Sequence, residues 1–330
     1  MIVTPAPPGS RHGNRRTALR WASLLEEVGH RVAVVERWEG QDVDLLLALH
    51  ARRSLRSIRE FASAHPERPL VLALTGTDVY RDIRSDEESR AALELATRLV
   101  VLQPLALNEL DAPLRRRADV VVQSAEPLRR RVPARGRFEV LVAGHLRAEK
   151  DPLRAALAVR LLPTASRVRV LHAGRALDPE LAEGARALEA ASQGRYRWLG
   201  ELEHEQVRHL MATSRAVCHT SLLEGGANVI SEALAGGVPV LASDIPGNVG
   251  LLGEGYEGTF PAGDERALAD LLARVEADPG FLALLERRCD QRRPLVARES
   301  ERATLADAIS AAVESSQDLL ASPSGRRPAR

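Results

Sequence analysis

Two glutamates and one lysine are the residues of this chain best suited to chemistry. Glu224 and Glu232 stand eight residues apart, and Lys150 is the only lysine among 46 lysines and arginines. A carboxylate accepts hydrogen bonds from hydroxyls and repels phosphate, whereas a compact ammonium attracts phosphate as a point charge. Together they suit a ligand with polyhydroxyl and anionic parts, such as a nucleotide sugar. Both glutamates lie in residues 219–252, HTSLLEGGANVISEALAGGVPVLASDIPGNVGLL. The pattern there predicts a strand over 216–219, a loop holding Gly225 and Gly226, and a helix over 228–235 ended by Gly236 and Gly237. A strand over 238–242 and a polar loop over 243–250 follow. Strand, glycine loop and helix N-terminus make an anion site, because unpaired helix N–H groups and the helix dipole point at the ligand. Asparagine is also rare: Asn14, Asn108, Asn228 and Asn248 are the only four, three of them in glycine-containing loops, although asparagine suits turns in any protein.

The elements that must position these residues alternate regularly. The first half predicts strands over 2–4, 31–36, 44–49, 69–74, 98–102 and 120–123. Helices over 14–28, 54–64 and 87–97 lie between them, the first with Ala18, Trp21, Leu24, Leu25 and Val28 at helical spacing. The second half begins with a strand over 138–143 that runs into Gly144, and continues with a helix over 152–162, a strand over 168–173 and a helix over 180–191. A strand over 196–199 and a helix over 204–213 lead into the glutamate stretch, with helices over 265–277, 280–289 and 299–315 beyond it. Such alternation calls for parallel sheets covered on both faces. The fold class is therefore α/β, with two doubly wound domains whose strand ends line a central cleft. Residues 1–130 form the first domain, with a linker over 124–137 at its end, and 138–298 the second. Residues 299–316 form a last helix that packs back on the first domain, and 317–330 a disordered tail.

Composition narrows the partners. A chain of 330 residues has room for two cores, and its 45% hydrophobic and 28% charged residues are those of a soluble globular protein. A net charge of +1 gives no reason to expect nucleic acid or a membrane surface. No run approaches the ~20 apolar residues of a membrane helix, no signal peptide is recognisable, and two isolated cysteines, Cys218 and Cys289, point to a reducing cytoplasm. Asp42-Val43-Asp44 has the spacing of a metal motif but opens a buried strand, so neither metal nor cofactor is expected. Oligomeric state is not legible.

Ala143-Gly144-His145-Leu146 with Lys150, taken together with Glu224 and Glu232, resembles the GT-B glycosyltransferases of family 4. Their carboxy-terminal domain carries G-R-L-x-x-x-K-G and E-x7-E. The resemblance implies that Lys150 binds the donor diphosphate and that Glu224 lies near the sugar. It places Gly225, Gly226, Ala227 and Asn228 near the phosphates and Glu232 on the ribose hydroxyls. Gly174, Arg175 and Leu199 stand where nucleotide bases rest in such folds, and Gly144, His145, Gly13 and Asn14 complete the expected donor set. Two positions depart from the pattern. His145 replaces an arginine, which would make the diphosphate clamp pH-dependent because histidine charges near ~6.5, and Asp151 replaces a glycine.

Segments of the first half (Gly13 to Ala18, Ala48 to Ser54, Leu74 to Asp82, Leu99 to Gln103) resemble the selenosugar synthases of selenoneine biosynthesis, which are family 4-like. These join the sugar of a UDP-sugar, UDP-N-acetylglucosamine or UDP-glucose, to selenophosphate, forming a C–Se bond and releasing UDP and phosphate. The acceptor residues implied are His50, Arg52, Arg53, Thr75, Gly76, Thr77 and Asp78, and the catalytic set is Lys150, Glu224 and His50. Guanidinium forks and backbone or hydroxyl donors suit a phosphate group, yet Arg52 and Arg53 equally suit a solvated helix start and Asp78 a turn cap. The alternatives are a family 4 enzyme using a hydroxyl acceptor, with His50 as base, and a non-catalytic nucleotide-sugar-binding protein. Trp198 reads as core, and His172 and His219 as packing residues.

Overall fold

The segments LLAL and LVLAL are apolar at every position and buried at every position, as strands covered on both faces must be. In the computed structural model, which describes residues 1–10, 13–76, 78–133 and 136–321, such strands build two parallel sheets in two compact units.

The first unit comprises Met1–Gln123 and the chain from Arg298 onward. Its elements are β1 (Ile2–Val3), α1 (Gly13–Glu27), β2 (Val34–Val35), β3 (Leu46–Leu49), α2 (Leu55–Ala64), β4 (Leu70–Leu74), α3 (Ile83–Ser85), α4 (Glu87–Leu95), β5 (Arg98–Val101), α5 (Ala112–Arg116) and β6 (Ala118–Val120). The sheet order is β2-β1-β3-β4-β5-β6, every neighbour parallel. The chain's last helix, Arg298–Ala321, joins the core with Leu305, Ala308, Ile309 and Ala312 beside Trp21, Leu24 and Leu25 of α1. Glu301, fully buried, holds it there by accepting from Trp21 Nε1 at 2.7 Å and pairing with Arg20 at 2.9 Å. A buried carboxylate requires such partners. Residues 317–321 continue this helix; the remainder of the tail, 322–330, lies outside the described residues.

The second unit, Ser124–Ala297, contains β7 (Phe138–Ala143), α6 (Arg154–Ala158), β8 (Val168–Ala173), α7 (Pro179–Ala191), β9 (Tyr196–Gly200), α8 (His204–Thr213), β10 (Ala216–His219), α9 (Asn228–Gly236), β11 (Val240–Ser243), α10 (Pro246–Leu252), β12 (Thr259–Phe260), α11 (Glu265–Ala277) and α12 (Pro279–Arg292). Its order is β12-β11-β10-β7-β8-β9, again parallel. Three sequence expectations change. Residues 243–250 are not all loop, because Pro246 supplies a pre-set φ at the start of α10. The edge strand of the first unit is 118–120, not 120–123. Residues 124–130, expected with the first domain, cluster with the second, where Arg208 donates to the carbonyls of Glu126 and Pro127 and Leu128 packs on Gly236.

Candidate active site

In the second unit the chemistry gathers after β7, β8 and β10. Glu224 leaves β10 through a short loop, and on its Oε1 three donors converge. Lys150 Nζ forms an ion pair with it, Ser221 Oγ lies at 2.7 Å and His219 Nε2 at 3.2 Å. Burial works against ionising Glu224, but the charge of Lys150 and the contact with His219 prevail and hold the carboxyl well below its ordinary range. Lys150 is held from behind. Its carbonyl and that of Asp151 both accept from Thr220 Oγ1 at 2.9 Å, and Leu222 N donates to Glu149 O at 2.9 Å. Beside this pair starts α9. Asp86, Asp111, Asp178, Asp264 and Asp278 cap the helices they precede with a side-chain oxygen, whereas the residue before α9 is Ala227, which has none. The N–H groups of Ile230 and Ser231 donate to Ala227 O at 2.9 and 3.2 Å, those of Asn228 and Val229 precede them without a side-chain cap, and a helix start of this kind favours an anion. Deeper in the helix Glu232, nearly buried, accepts from His204 Nε2 at 3.1 Å.

Two glycines fix how closely the loops approach. A Cβ on Gly174 would stand 1.8 Å from the carbonyl oxygen of Gly144, and one on Gly247 would stand 2.0 Å from that of Glu224. Neither backbone could yield to a side chain there. The Gly144 carbonyl is aimed by His172 Nε2 at 3.0 Å, while His172 Nδ1 lies 3.0 Å from Tyr196 OH. Since a carbonyl only accepts, His172 carries its proton on Nε2. Trp198 Nε1 donates to Gly174 O at 2.8 Å.

The first unit offers a different arrangement. Asp78, fully buried, accepts from the main-chain N–H of Ala51 at 3.1 Å, Thr75 at 3.0 Å and Gly76 at 2.8 Å, so it ties the loop after β3 to the loop after β4. It opens one turn of π-helix, Asp78–Asp82. His50 sits between the loops with φ +74°, a left-handed backbone unusual for a residue with a side chain. Its Nδ1 lies 3.8 Å from Asp78 Oδ2 and its Nε2 4.0 Å from Asp82 Oδ2. Burial lowers the imidazole below its ordinary value, the two aspartates draw it back up, and Arg53 and Arg81 push it further down. The guanidinium of Arg52, largely exposed, lies 3.9 Å from Asp86, and that of Arg81 3.2 Å from Asp82.

The family described as Glycosyl transferases group 1 matches residues 124–293, just over half of the 330 residues and nearly the whole second unit. The chain belongs to this family. Among curated proteins none matches the sequence. HepE of Anabaena, solved with UDP, is similar in structure with a TM-score of 0.74 at 19% identity, over 94% of this chain and 98% of its own. Sucrose-phosphate synthase from Thermosynechococcus elongatus gives 0.73 at 18%, over 97% and 98%. The trehalose 6-phosphate synthase of Burkholderia multivorans gives 0.66 at 15%, over 97% and 79%. Likeness at these identities is likeness of fold, and the fold is GT-B.

Within this group 1 glycosyltransferase the second unit sets Gly174 against Gly144, Arg175 against His145 and Glu224 against Lys150, with Gly225 to Asn228 following Glu224 in the chain. Leu199, half-buried on β9, precedes Gly200, whose carbonyl accepts from Gly174 N at 2.7 Å. Gly13 and Asn14 open α1 and belong to the first unit. His145 does not form a simple cationic clamp. Its Nδ1 accepts from Arg175 N at 3.1 Å, and a proton on that nitrogen would break the bond. Asp151 occupies a left-handed position, φ +43°, which explains why glycine would also suit it; aspartate tolerates that region and here also binds Arg154 Nε at 2.7 Å. The main-chain donors of Thr75 and Gly76, offered to an anion by the sequence reading, are occupied by Asp78. Thr77 lies outside the described residues. Asp42 pairs with Arg68 at 2.5 Å, and among the described residues no cluster of histidine, cysteine and carboxylate side chains could hold a metal. None of the helices described is long and apolar enough to cross a membrane.

Sequence reading did not single out Ser221 or His204, and took His219, which lies against Glu224, for a packing residue. The serine's signal was available, three residues before Glu224 on the same loop. The histidines reach the glutamates only through the fold.

Proposed function

We propose that this glycosyltransferase uses a UDP-sugar as donor and selenophosphate as acceptor. The observation that carries the donor half is the uncapped start of α9 beside the Lys150–Glu224 pair. A diphosphate there meets helix N–H groups and an ammonium, while Glu224 and Glu232 accept from sugar and ribose hydroxyls. HepE, solved with UDP and with UDP-glucose, has the same fold. The acceptor half is supported by the guanidinium groups of Arg53 and Arg81, whose charges act on His50, and by the resemblance of the first unit's loops.

The reaction needs little from a base. The anionic selenium attacks the anomeric carbon as its bond to the diphosphate oxygen breaks, and the electron pair of that bond leaves with UDP. Water then cleaves the P–Se bond, giving phosphate and the selenosugar. Lys150 and the α9 amides stabilise the charge that develops on UDP, the kind of contribution worth ~2.7–4 kcal/mol for one donor. One observation favours a second reading: His50 between Asp78 and Asp82 resembles a base held by carboxylates, which an alcohol acceptor would require.

The test is UDP release from UDP-N-acetylglucosamine and UDP-glucose, each with selenophosphate, thiophosphate, phosphate or no acceptor, followed by product mass. Selenium-dependent release with a selenosugar mass is expected. Binding of the UDP-sugar without release by selenophosphate would overturn the acceptor assignment and direct the search to alcohols.

A further inference from the structure

A diphosphate competes with Glu224 for the Lys150 ammonium. That ammonium rests on the glutamate, so a phosphate that draws it away leaves a carboxylate whose side chain is only 11% exposed without its cation. A buried charge without a counter-charge is costly, and the hydroxyls of Ser221 or a sugar donate to Glu224 but bring no positive charge. His219 is the group in place. It is buried at the end of β10, with Nε2 3.2 Å from Glu224 Oε1 and 3.0 Å from Ser221 Oγ. Ser221 gives its single hydrogen to Glu224 at 2.7 Å, so its oxygen accepts from His219, whose proton is therefore on Nε2. The imidazole can take up a second proton at Nδ1 and become the counter-cation.

We infer that His219 is a positioning residue for donor binding: it takes up a proton when Lys150 moves from Glu224 to the donor diphosphate, and so holds Glu224 ionised and in place. This rests on the reading of the loop as a donor site. The charged groups acting on His219 are Glu224, which favours its protonated form, and Lys150, which opposes it; burial opposes it as well. Departure of the lysine removes one opposing influence and leaves the favourable one, so the imidazole's proton affinity rises in the complex. The sign follows. A group whose pKa rises on binding makes the complex tighter at low pH, and the gain fades as pH rises through the bound-state value. Each unit of rise corresponds to about a tenfold gain in affinity.

The experiment is isothermal titration of the full chain with UDP-glucose between pH 6 and 8 in buffers of differing ionisation enthalpy. UDP-glucose has no group of its own that titrates in this range. The wild-type protein is expected to take up a fraction of a proton on binding, more at pH 6 than at pH 8, with affinity falling as pH rises. His219→Gln keeps a hydrogen-bonding side chain but cannot charge; it should lose most of that uptake and bind with little pH dependence. Binding by the wild type with no proton uptake overturns the inference, whatever the variant does. Uptake that persists undiminished in His219→Gln also overturns it and points to Glu224 or another histidine. No binding of UDP-glucose at all would instead overturn the donor-site reading.

Discussion

The two units finish their parallel sheets with loops of opposite electrostatic design. After β10 the carboxylate, Glu224, is paired with side chains, and the neighbouring helix α9 begins without a cap. After β3 and β4 the carboxylate, Asp78, turns inward and saturates three main-chain N–H groups. One loop leads into a helix start without a side-chain cap; the other uses its backbone donors to build itself. A glycine loop at the end of a strand is therefore no evidence of an anion site until its N–H groups are accounted for. The GT-B fold repeats its architecture without repeating its use of the loops.

Exchanging the two carboxylates' surroundings by mutation separates stability from activity. Removal of Lys150 should have the largest catalytic effect: Lys150→Ala is expected to lower turnover by about 10²–10³, as losing one preorganised donor does, with the fold retained although the thermal midpoint falls as Glu224 loses its cation. Near-normal turnover in a folded variant would remove the role assigned to it. Asp78→Ala should do the reverse. Three N–H groups lose their acceptor at about 1–3 kcal/mol each, so urea denaturation is expected to show a loss of at least about 3 kcal/mol. A stable Asp78→Ala variant would break the contrast drawn between the loops.

Protonation sharpens the comparison within the second unit. Burial drives the His172 imidazole from 6.5 down to about 4, with the Gly144 carbonyl pulling weakly the other way. Below pH 6.5 the unfolded chain takes the proton and the folded chain does not, so stability is lost as pH falls, until the folded value is passed. The full contribution is about 3 kcal/mol. His50 and His219 are shifted in the same direction, so His172→Gln, which can still donate to Gly144, should remove part of the decline between pH 6.5 and 4.5. Chemical denaturation across that window measures it. An unchanged slope would show that His172 takes up its proton equally readily in the folded and the unfolded chain.

What was legible in the sequence follows from the range of the interactions. Apolar runs and turn residues act locally, so the two parallel sheets, α9 and the E-x7-E spacing could be read directly. Glu301 under Trp21 and His219 against Glu224 could not, because 280 residues separate the first pair and nothing in the HTS segment says which way the imidazole turns. Asp78 suits either an acceptor site or a turn cap by sequence, and the pairing of β3 with β4 shows it tying two loops together, by bringing Ala51 within its reach. The polar loop over 243–250 was misjudged because Gly247 and Gly250 argue against a helix by propensity. Yet α10 contains both, and Gly247 is required where the helix meets the Glu224 backbone.

The smallest expected effect concerns Asp151, next to the lysine. Its left-handed backbone costs alanine on the order of 1–2 kcal/mol, aspartate less, and glycine almost nothing. Against that stands the Asp151–Arg154 bond, part of a chain that continues from Arg154 to Glu265. Asp151→Gly should therefore change stability by less than about 1 kcal/mol, since relief of the backbone offsets the loss of one partly buried ion pair. Asp151→Ala loses both and should fall by about 1–2 kcal/mol. Denaturation of the two variants side by side distinguishes backbone from charge: equal losses would assign the position to its ion pair, and the glycine variant standing above alanine would assign it to φ.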